Sequence, residues 1–170
     1  AHAQSEPSKP TYEKVVYENN GKTYVQKSLP VYVKFSVTPD GKNYPLKSSN
    51  HPEDANPLYL DTEGVNYIRS KWAVDPETGQ PATPQREVMM ELYADGLPPR
   101  TTHAFSGAPR YSNGGTVYFG KGLMVTLKAT DGVSGVKETK YALGGSYSSY
   151  SSSISANSEG ANSLFYYSAD

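Results

Sequence analysis

One seven-residue pattern occurs twice in this chain, and it constrains the fold more than any other feature. In Leu123-Met124-Val125-Thr126-Leu127-Lys128-Ala129, the residues Leu123, Val125, Leu127 and Ala129 share one phase, and Thr126 and Lys128 fall on the other. Apolar residues at alternate positions predict a strand buried on one side only. Thr130-Asp131-Gly132 follows, and Asp-Gly is turn chemistry, because Gly accepts positive φ and Asp bonds back to its own backbone. Upstream, Val31, Val33, Phe35 and Val37 keep the same phase and run into Thr38-Pro39-Asp40-Gly41. Val31 and Leu123 are 92 residues apart. A spacing of that size in a chain of 170 residues predicts two small β-domains rather than one large one.

Other strand and turn signals fill in around the two copies. Asn19-Asn20-Gly21 and Asn113-Gly114-Gly115 predict hairpins. Ile68, Ser70, Trp72 and Val74 share one face of a strand, with Trp72 expected at the centre of the first core. Val88, Met90, Leu92 and Ala94 alternate with Glu87, Met89, Glu91 and Tyr93 in a further strand. Asp95-Gly96-Leu97-Pro98-Pro99 ends that strand, since consecutive prolines cannot continue a ladder. Val136 to Leu143 predicts a strand with Tyr141 and Leu143 inward. Glu159-Gly160-Ala161-Asn162 matches Glu63-Gly64-Val65-Asn66, and the residues after each, ending in Asp170 and Asp75, form matching strands one residue out of step. No segment sustains a helical period. The fold expected is all-β, as two tandem Ig-like β-sandwich domains: residues 1–10 as a flexible leader, 11–97 as the first sandwich, 98–100 as a Pro-rich joint and 101–170 as the second. The first copy continues into Val88, Met90, Leu92 and Ala94, and the second has no such strand before Asp170. The second sandwich is therefore expected to lack its last strand, to be supplied from downstream or by a partner.

Composition narrows the function classes. Net charge is −1, which gives no basic field for nucleic acid. There is no cysteine, so disulfides, thiolate metal sites and a lipid-bearing cysteine are absent from this sequence. No apolar run approaches the roughly 18 residues that span a bilayer as a helix. Ala1-His2-Ala3 has the form of a signal-peptidase site, and export is the expected destination. His2, His51 and His103 are scattered, and no nucleophile elbow is present, so no catalytic set is expected.

Val125 to Asp131, Ser134-Gly135-Val136, Tyr141 to Gly145, Glu159-Gly160 and Tyr166 to Asp170 together resemble a family of bacterial Ig-like repeats typified by a leptospiral outer-membrane adhesin. Asp95 to Thr102 resembles the joint between its repeats. The first unit departs from the pattern, because Thr38-Pro39-Asp40-Gly41 lacks the Ser-Gly-Val step. The resemblance implies tandem β-sandwich modules at the outer-membrane surface, in the periplasm or outside the cell, adhesive to protein partners in some members. It implies no catalytic residues.

Two site readings remain. Tyr141, Tyr147, Tyr150, Tyr166 and Tyr167 crowd one small unit that is poor in Phe. They form either an aromatic binding surface or the filling of the core. Asp95, Asp131 and Asp170 lie at strand ends, where carboxylates can hold calcium or simply cap turns. The function expected is a non-enzymatic interaction module of a bacterial envelope assembly, with self-assembly through strand edges among its routes and no cofactor required. The alternative is a carbohydrate-binding module that uses a tyrosine-rich face.

Overall fold

A computed structural model describes residues 4–31, 34–35, 44–45, 58–70 and 88–170. Trp72, Asp40, Asp75, His51 and most of the first copy of the repeated strand lie outside the described residues. The chain divides into two compact units: one is Glu13–Gly96, and the other joins the residues up to Tyr12 with Leu97–Asp170. All regular structure among the described residues is β.

In the unit Glu13–Gly96, β1 (Val16–Asn19) and β2 (Lys22–Gln26) form a hairpin. Its two loop residues, Asn20 and Gly21, have φ of 51° and 72°, the left-handed pair that a two-residue turn of this hand needs. β3 (Lys34–Phe35) pairs with β4 (Tyr44–Pro45). β5 (Gly64–Ser70) pairs antiparallel with β6 (Val88–Asp95), and β6 also pairs parallel with β2, giving the order β1-β2-β6-β5. Val25, Leu60, Leu92 and Ala94 make the core, with Leu29, Val31 and Ile68 packed against it. The expected phase of Leu92 and Ala94 holds, and Ala94 is wholly buried. Met90, on the same phase, is half-exposed toward the other end of β6. Opposite the core, Tyr17, Tyr24 and Tyr93 step across three strands with ring centroids 5.0 and 5.3 Å apart.

The other unit contains β7 (Arg100–Ser106), β8 (Arg110–Asn113), β9 (Thr116–Phe119), β10 (Met124–Thr130), β11 (Glu138–Leu143), β12 (Ser148–Ser149), β13 (Ile154–Ser155) and β14 (Leu164–Ala169). One sheet has the order β13-β10-β7 and another β12-β11-β14, while β8 and β9 form a separate hairpin. The repeated stretch becomes β10 with the expected alternation, Val125 and Leu127 being buried while Thr126 and Lys128 are exposed. Val125, Leu127 and Ile154 of the first sheet pack against Tyr141, Leu143, Leu164 and Tyr166 of the second and Tyr150 beside it. The expected inward pair, Tyr141 and Leu143, is therefore in this core. Hydroxyls seal part of it, with Ser168 Oγ 2.8 Å from both Thr101 Oγ1 and Thr139 Oγ1.

The matched turns have one geometry. Gly64 and Gly160 have φ of 89° and 96°. Asn66 donates to the carbonyls of Thr62 and Gly64 at 2.8 and 3.0 Å, and Asn162 to those of Ser158 and Gly160 at 2.9 and 3.1 Å. The strands that follow differ in partner. β5 pairs with β6, whereas β14 pairs, among the described strands, with β11 alone. Among the described residues both ladders run without interruption, β5 over Gly64–Ser70 and β14 over Leu164–Ala169, and the remainder of the first copy's expected strand lies outside the described residues.

Candidate binding face

Strand alternation separates the tyrosines. β14 is half-buried, and successive side chains point to opposite faces, so Tyr166 and Tyr167 cannot share a side. Tyr166 points inward, where its hydroxyl meets His103 Nδ1 at 2.8 Å and its ring lies edge-on to the imidazole. Tyr141 and Tyr150 meet edge to face, 6.3 Å between centroids, in the same core. The Tyr150 hydroxyl accepts the Leu127 N–H at 3.1 Å, on the side of β10 where the short β13 has already ended. These three tyrosines fill the core. Tyr147 and Tyr167 alone of the five make their contacts on the other side, with rings at 85° and centroids 4.8 Å apart.

That outer face carries Glu138, Lys140 and Ala142 of β11 opposite Ala169, Tyr167 and Phe165 of β14. Ala142 is 1% exposed and Ala169 8%. An outward alanine in a two-layer packing is solvated unless something lies over it. Here residues 4–12 run along the face: those up to Pro10 are the expected free leader, and Tyr12 lies in the stretch expected as the first sandwich. Tyr12 donates its phenol proton to Glu138 Oε1 at 2.6 Å, and its hydroxyl is 3.3 Å from that of Tyr167. Tyr147 donates to Glu6 Oε1 at 2.7 Å. Lys9 Nζ sits 5.4 Å from the centre of the Tyr167 ring and pairs with Glu6 at 2.8 Å. Lys137 approaches the Tyr12 ring to 5.9 Å, and Lys140 pairs with Glu138 at 3.2 Å. Glu6, Lys9, Tyr12, Glu138 and Lys140 are the residues that sequence reasoning missed. The available signal was the three-residue spacing of Glu6, Lys9 and Tyr12, interleaved with Pro7 and Pro10.

The ionisable groups bind one another in fixed protonation states. The hydrogen bonds from Lys9 and Tyr147 hold Glu6 below the ordinary 4.5. The hydrogen bond from Tyr12, with help from Lys140, does the same for Glu138. Loss of hydration against the sheet and the bond to Glu6 push Tyr147 up from 10 to about 12. Loss of hydration and the bond to Glu138 push Tyr12 up as well. Depressed carboxyls contribute above 4.5 and lose that contribution as pH falls through their folded values. A raised phenol contributes below 10 and loses its contribution as pH climbs through about 12. The segment should therefore stay fully seated between about pH 5 and 10, and lift as pH falls through the depressed carboxyl values or climbs toward about 12, read as new proteolytic cleavage within residues 4–12. Equal cleavage at pH 2 and pH 7 by an acid-tolerant protease would contradict this.

Two further features belong to the same unit. An open groove of about 630 Å³ lies beside β7, lined by His103, Ala104, Phe105, Ala108, Arg110, Val117 and Phe119. Phe105 packs against Phe119 with ring centroids 4.9 Å apart and planes tilted by 43°, and is about half exposed. The strand-end carboxylates are the second. Asp131 Oδ1 accepts the N–H groups of Val133 and Gly135, both at 2.8 Å, which is the turn chemistry expected. Asp131 and Asp170 bring carboxylate oxygens within 4.8 Å of one another. Asp95, buried at the end of β6, belongs to the unit Glu13–Gly96.

Ladder geometry also defines two open edges. The Leu127 N–H turns away from β7 toward Tyr150, so the Leu127/His103 pair exchanges no backbone bond. His103 then points its own N–H and C=O out of β7, and Thr101 and Phe105 follow by alternation. On β11, Thr139 C=O accepts from Tyr150 and so faces away from β14. Its partner Ser168 therefore turns its backbone N–H and C=O out of the sheet edge, as do Tyr166 and Leu164. No described strand pairs with either edge.

Compared with protein-family models, with curated proteins and with solved structures, the chain matches none.

Proposed function

We propose that this chain is a non-enzymatic interaction module of a bacterial cell-surface or periplasmic assembly, two tandem Ig-like β-sandwich domains that bind protein partners through open strand edges and sheet faces. The observation that carries it is the pair of edges on β7 and β14, each with three residues whose backbone groups point outward. A row of unpaired N–H and C=O groups is a template for an added strand. The resemblance to adhesin repeats supports export and envelope location, since its residues fall on β10, β11, β14 and the turn at Asp131. The reading requires no cofactor; calcium at Asp131 and Asp170 is testable by a calcium-dependent shift in melting temperature.

A strand of the right kind already pairs with β5, so the test uses its sequence. A peptide of residues 86–95 should raise the melting temperature of the chain and slow amide exchange at Leu164, Tyr166 and Ser168. Without peptide, those amides should exchange fast, and the chain should tend to self-associate. A stable monomer with the same amides already protected would overturn the reading. The carbohydrate alternative draws on the outward Tyr147 and Tyr167, yet their rings stand at 85° rather than forming one flat platform for a sugar. Glycan-array binding abolished by Tyr147→Ala would favour it instead.

A further inference from the structure

We propose that the outer face of β11 and β14 is a recognition surface for polyproline II segments that carry an acid, a base and a tyrosine at three-residue spacing. Residues 6–12 are its resident occupant. The proposal rests on the interaction-module reading and adds a second route, distinct from the strand edges.

The segment's sequence is built for that conformation. Glu6-Pro7-Ser8-Lys9-Pro10-Thr11-Tyr12 places proline directly after Glu6 and again after Lys9. Proline fixes φ near −65° and pushes the residue before it out of the helical region. Polyproline II has three residues per turn, so Glu6, Lys9 and Tyr12 fall on one ridge. These same three residues make the contacts to the sheet side: Glu6 to Tyr147, Lys9 to Tyr167, and Tyr12 to Tyr167 and Glu138. The receptor groups are met in chain order, as an extended ligand of about 19 Å over six residues requires. The Glu6–Lys9 ion pair is the contact expected between neighbours on such a ridge.

The face has the parts this ligand class uses. Proline-rich segments dock on aromatic-lined grooves because they lose little entropy on binding. Tyr147 and Tyr167 stand perpendicular to each other in edge-to-face contact, and Tyr167 offers its π face to the Lys9 ammonium. Glu138, held ionised by its neighbours, accepts the ligand phenol at the far end. The occupant is held by side chains alone: among the described residues, no backbone hydrogen bond joins residues 4–12 to a strand. Glu6, Lys9 and Tyr12 remain exposed, so the segment can be exchanged for one of the same pattern from another chain.

The test uses the full chain with Glu6→Ala, Lys9→Ala and Tyr12→Ala, which disables the resident segment, and a fluorescent peptide of residues 4–12. The variant should bind the peptide about ten-fold more tightly than the unaltered chain, where the tethered segment competes. On that background, Tyr147→Phe removes only the hydroxyl that meets Glu6 and should weaken binding several-fold; Tyr167→Ala should weaken it further. A peptide with glycine in place of Pro7 and Pro10 should also bind several-fold less. No binding to the triple variant at millimolar peptide would overturn the proposal. So would equal binding to the unaltered chain, or indifference to both Tyr147→Phe and the prolines. If the 86–95 peptide binds and the 4–12 peptide does not, the edge reading stands and this one falls.

Discussion

Leu127→Ala should destabilise the unit built on Leu97–Asp170 by about 2–5 kcal/mol. Leu127 is 5% exposed and lies at the centre of the core that joins the two three-stranded sheets. Removing its side chain deletes buried apolar surface and leaves a cavity bordered by Val125, Ile154 and the rings of Tyr141, Tyr150 and Tyr166. Two of those rings are held by hydrogen bonds, the one that the Leu127 N–H donates to the Tyr150 hydroxyl and the one between Tyr166 and His103, so they cannot collapse freely into the space. That places the cost above the transfer term alone. The neighbouring Thr126→Ala is the internal control. Thr126 faces solvent and loses only a 3.2 Å contact to Ser153 Oγ, so its change should stay within about 0.5 kcal/mol. Thermal or urea melts of the two variants check both numbers. Equal costs would mean that the phase of β10 is misassigned, since a one-residue slip exchanges the two faces.

That contrast also explains which parts of the fold were legible. β10 was readable because one face is buried and the other wet, so the pattern is written locally in alternating residues. The hairpin at Asn20-Gly21 was readable because its backbone demands positive φ at two consecutive positions, which few residue pairs supply. The parallel pairing of β2 with β6 was not readable. Tyr24↔Tyr93 and Val25↔Ala94 join strands nearly 70 residues apart, and parallel partners need no turn that would mark them. Nor was the partner of β14 readable: the turn at Glu159-Gly160 copies the one at Glu63-Gly64, yet the strand after it lies against β11.

The site was half legible for a related reason. Tyrosine serves a core and a wet surface equally well, so composition alone cannot assign it a side. Phase could have done so at one place, because adjacent Tyr166 and Tyr167 in a strand must diverge. Tyr147 and Tyr150 sit in a Ser/Gly-rich stretch with only a two-residue strand, and no periodicity fixes them. Their roles come from long-range partners, Glu6 for one and Leu127 for the other. The leader was read as free because it lacks apolar pattern. Its contacts are polar and aromatic at a three-residue period, which neither the helix nor the strand template detects.

Gly107→Ala should cost about 2–5 kcal/mol, far more than an alanine at other glycines of the same unit. Two penalties act together. Gly107 has φ of +78°, a conformation that costs an L-residue about 1–2 kcal/mol. A Cβ there would also come within 2.5 Å of the Gly122 carbonyl oxygen and 3.3 Å of Met124 Cγ. Backbone cannot give way as a side-chain tip does, so the segment after β7 and the one before β10 must part. Gly122, itself at φ +87°, faces back toward the Gly107 carbonyl, so the close approach is mutual. This contact sits where the chain leaves β7 for the β8–β9 hairpin, two residues after Phe105 and three after Phe119, whose ring centroids are 4.9 Å apart. Gly114→Ala separates the two terms. Gly114 also has positive φ, 56°, but a Cβ there meets nothing within 4 Å. Its cost should be the conformational term alone, about 1–2 kcal/mol. Urea melts of both variants give the difference directly, and ring-proton shifts of Phe105 and Phe119 should move only in Gly107→Ala. Equal stabilities, with unmoved rings in both, would show that the two backbone segments do not approach as closely as the structure has them.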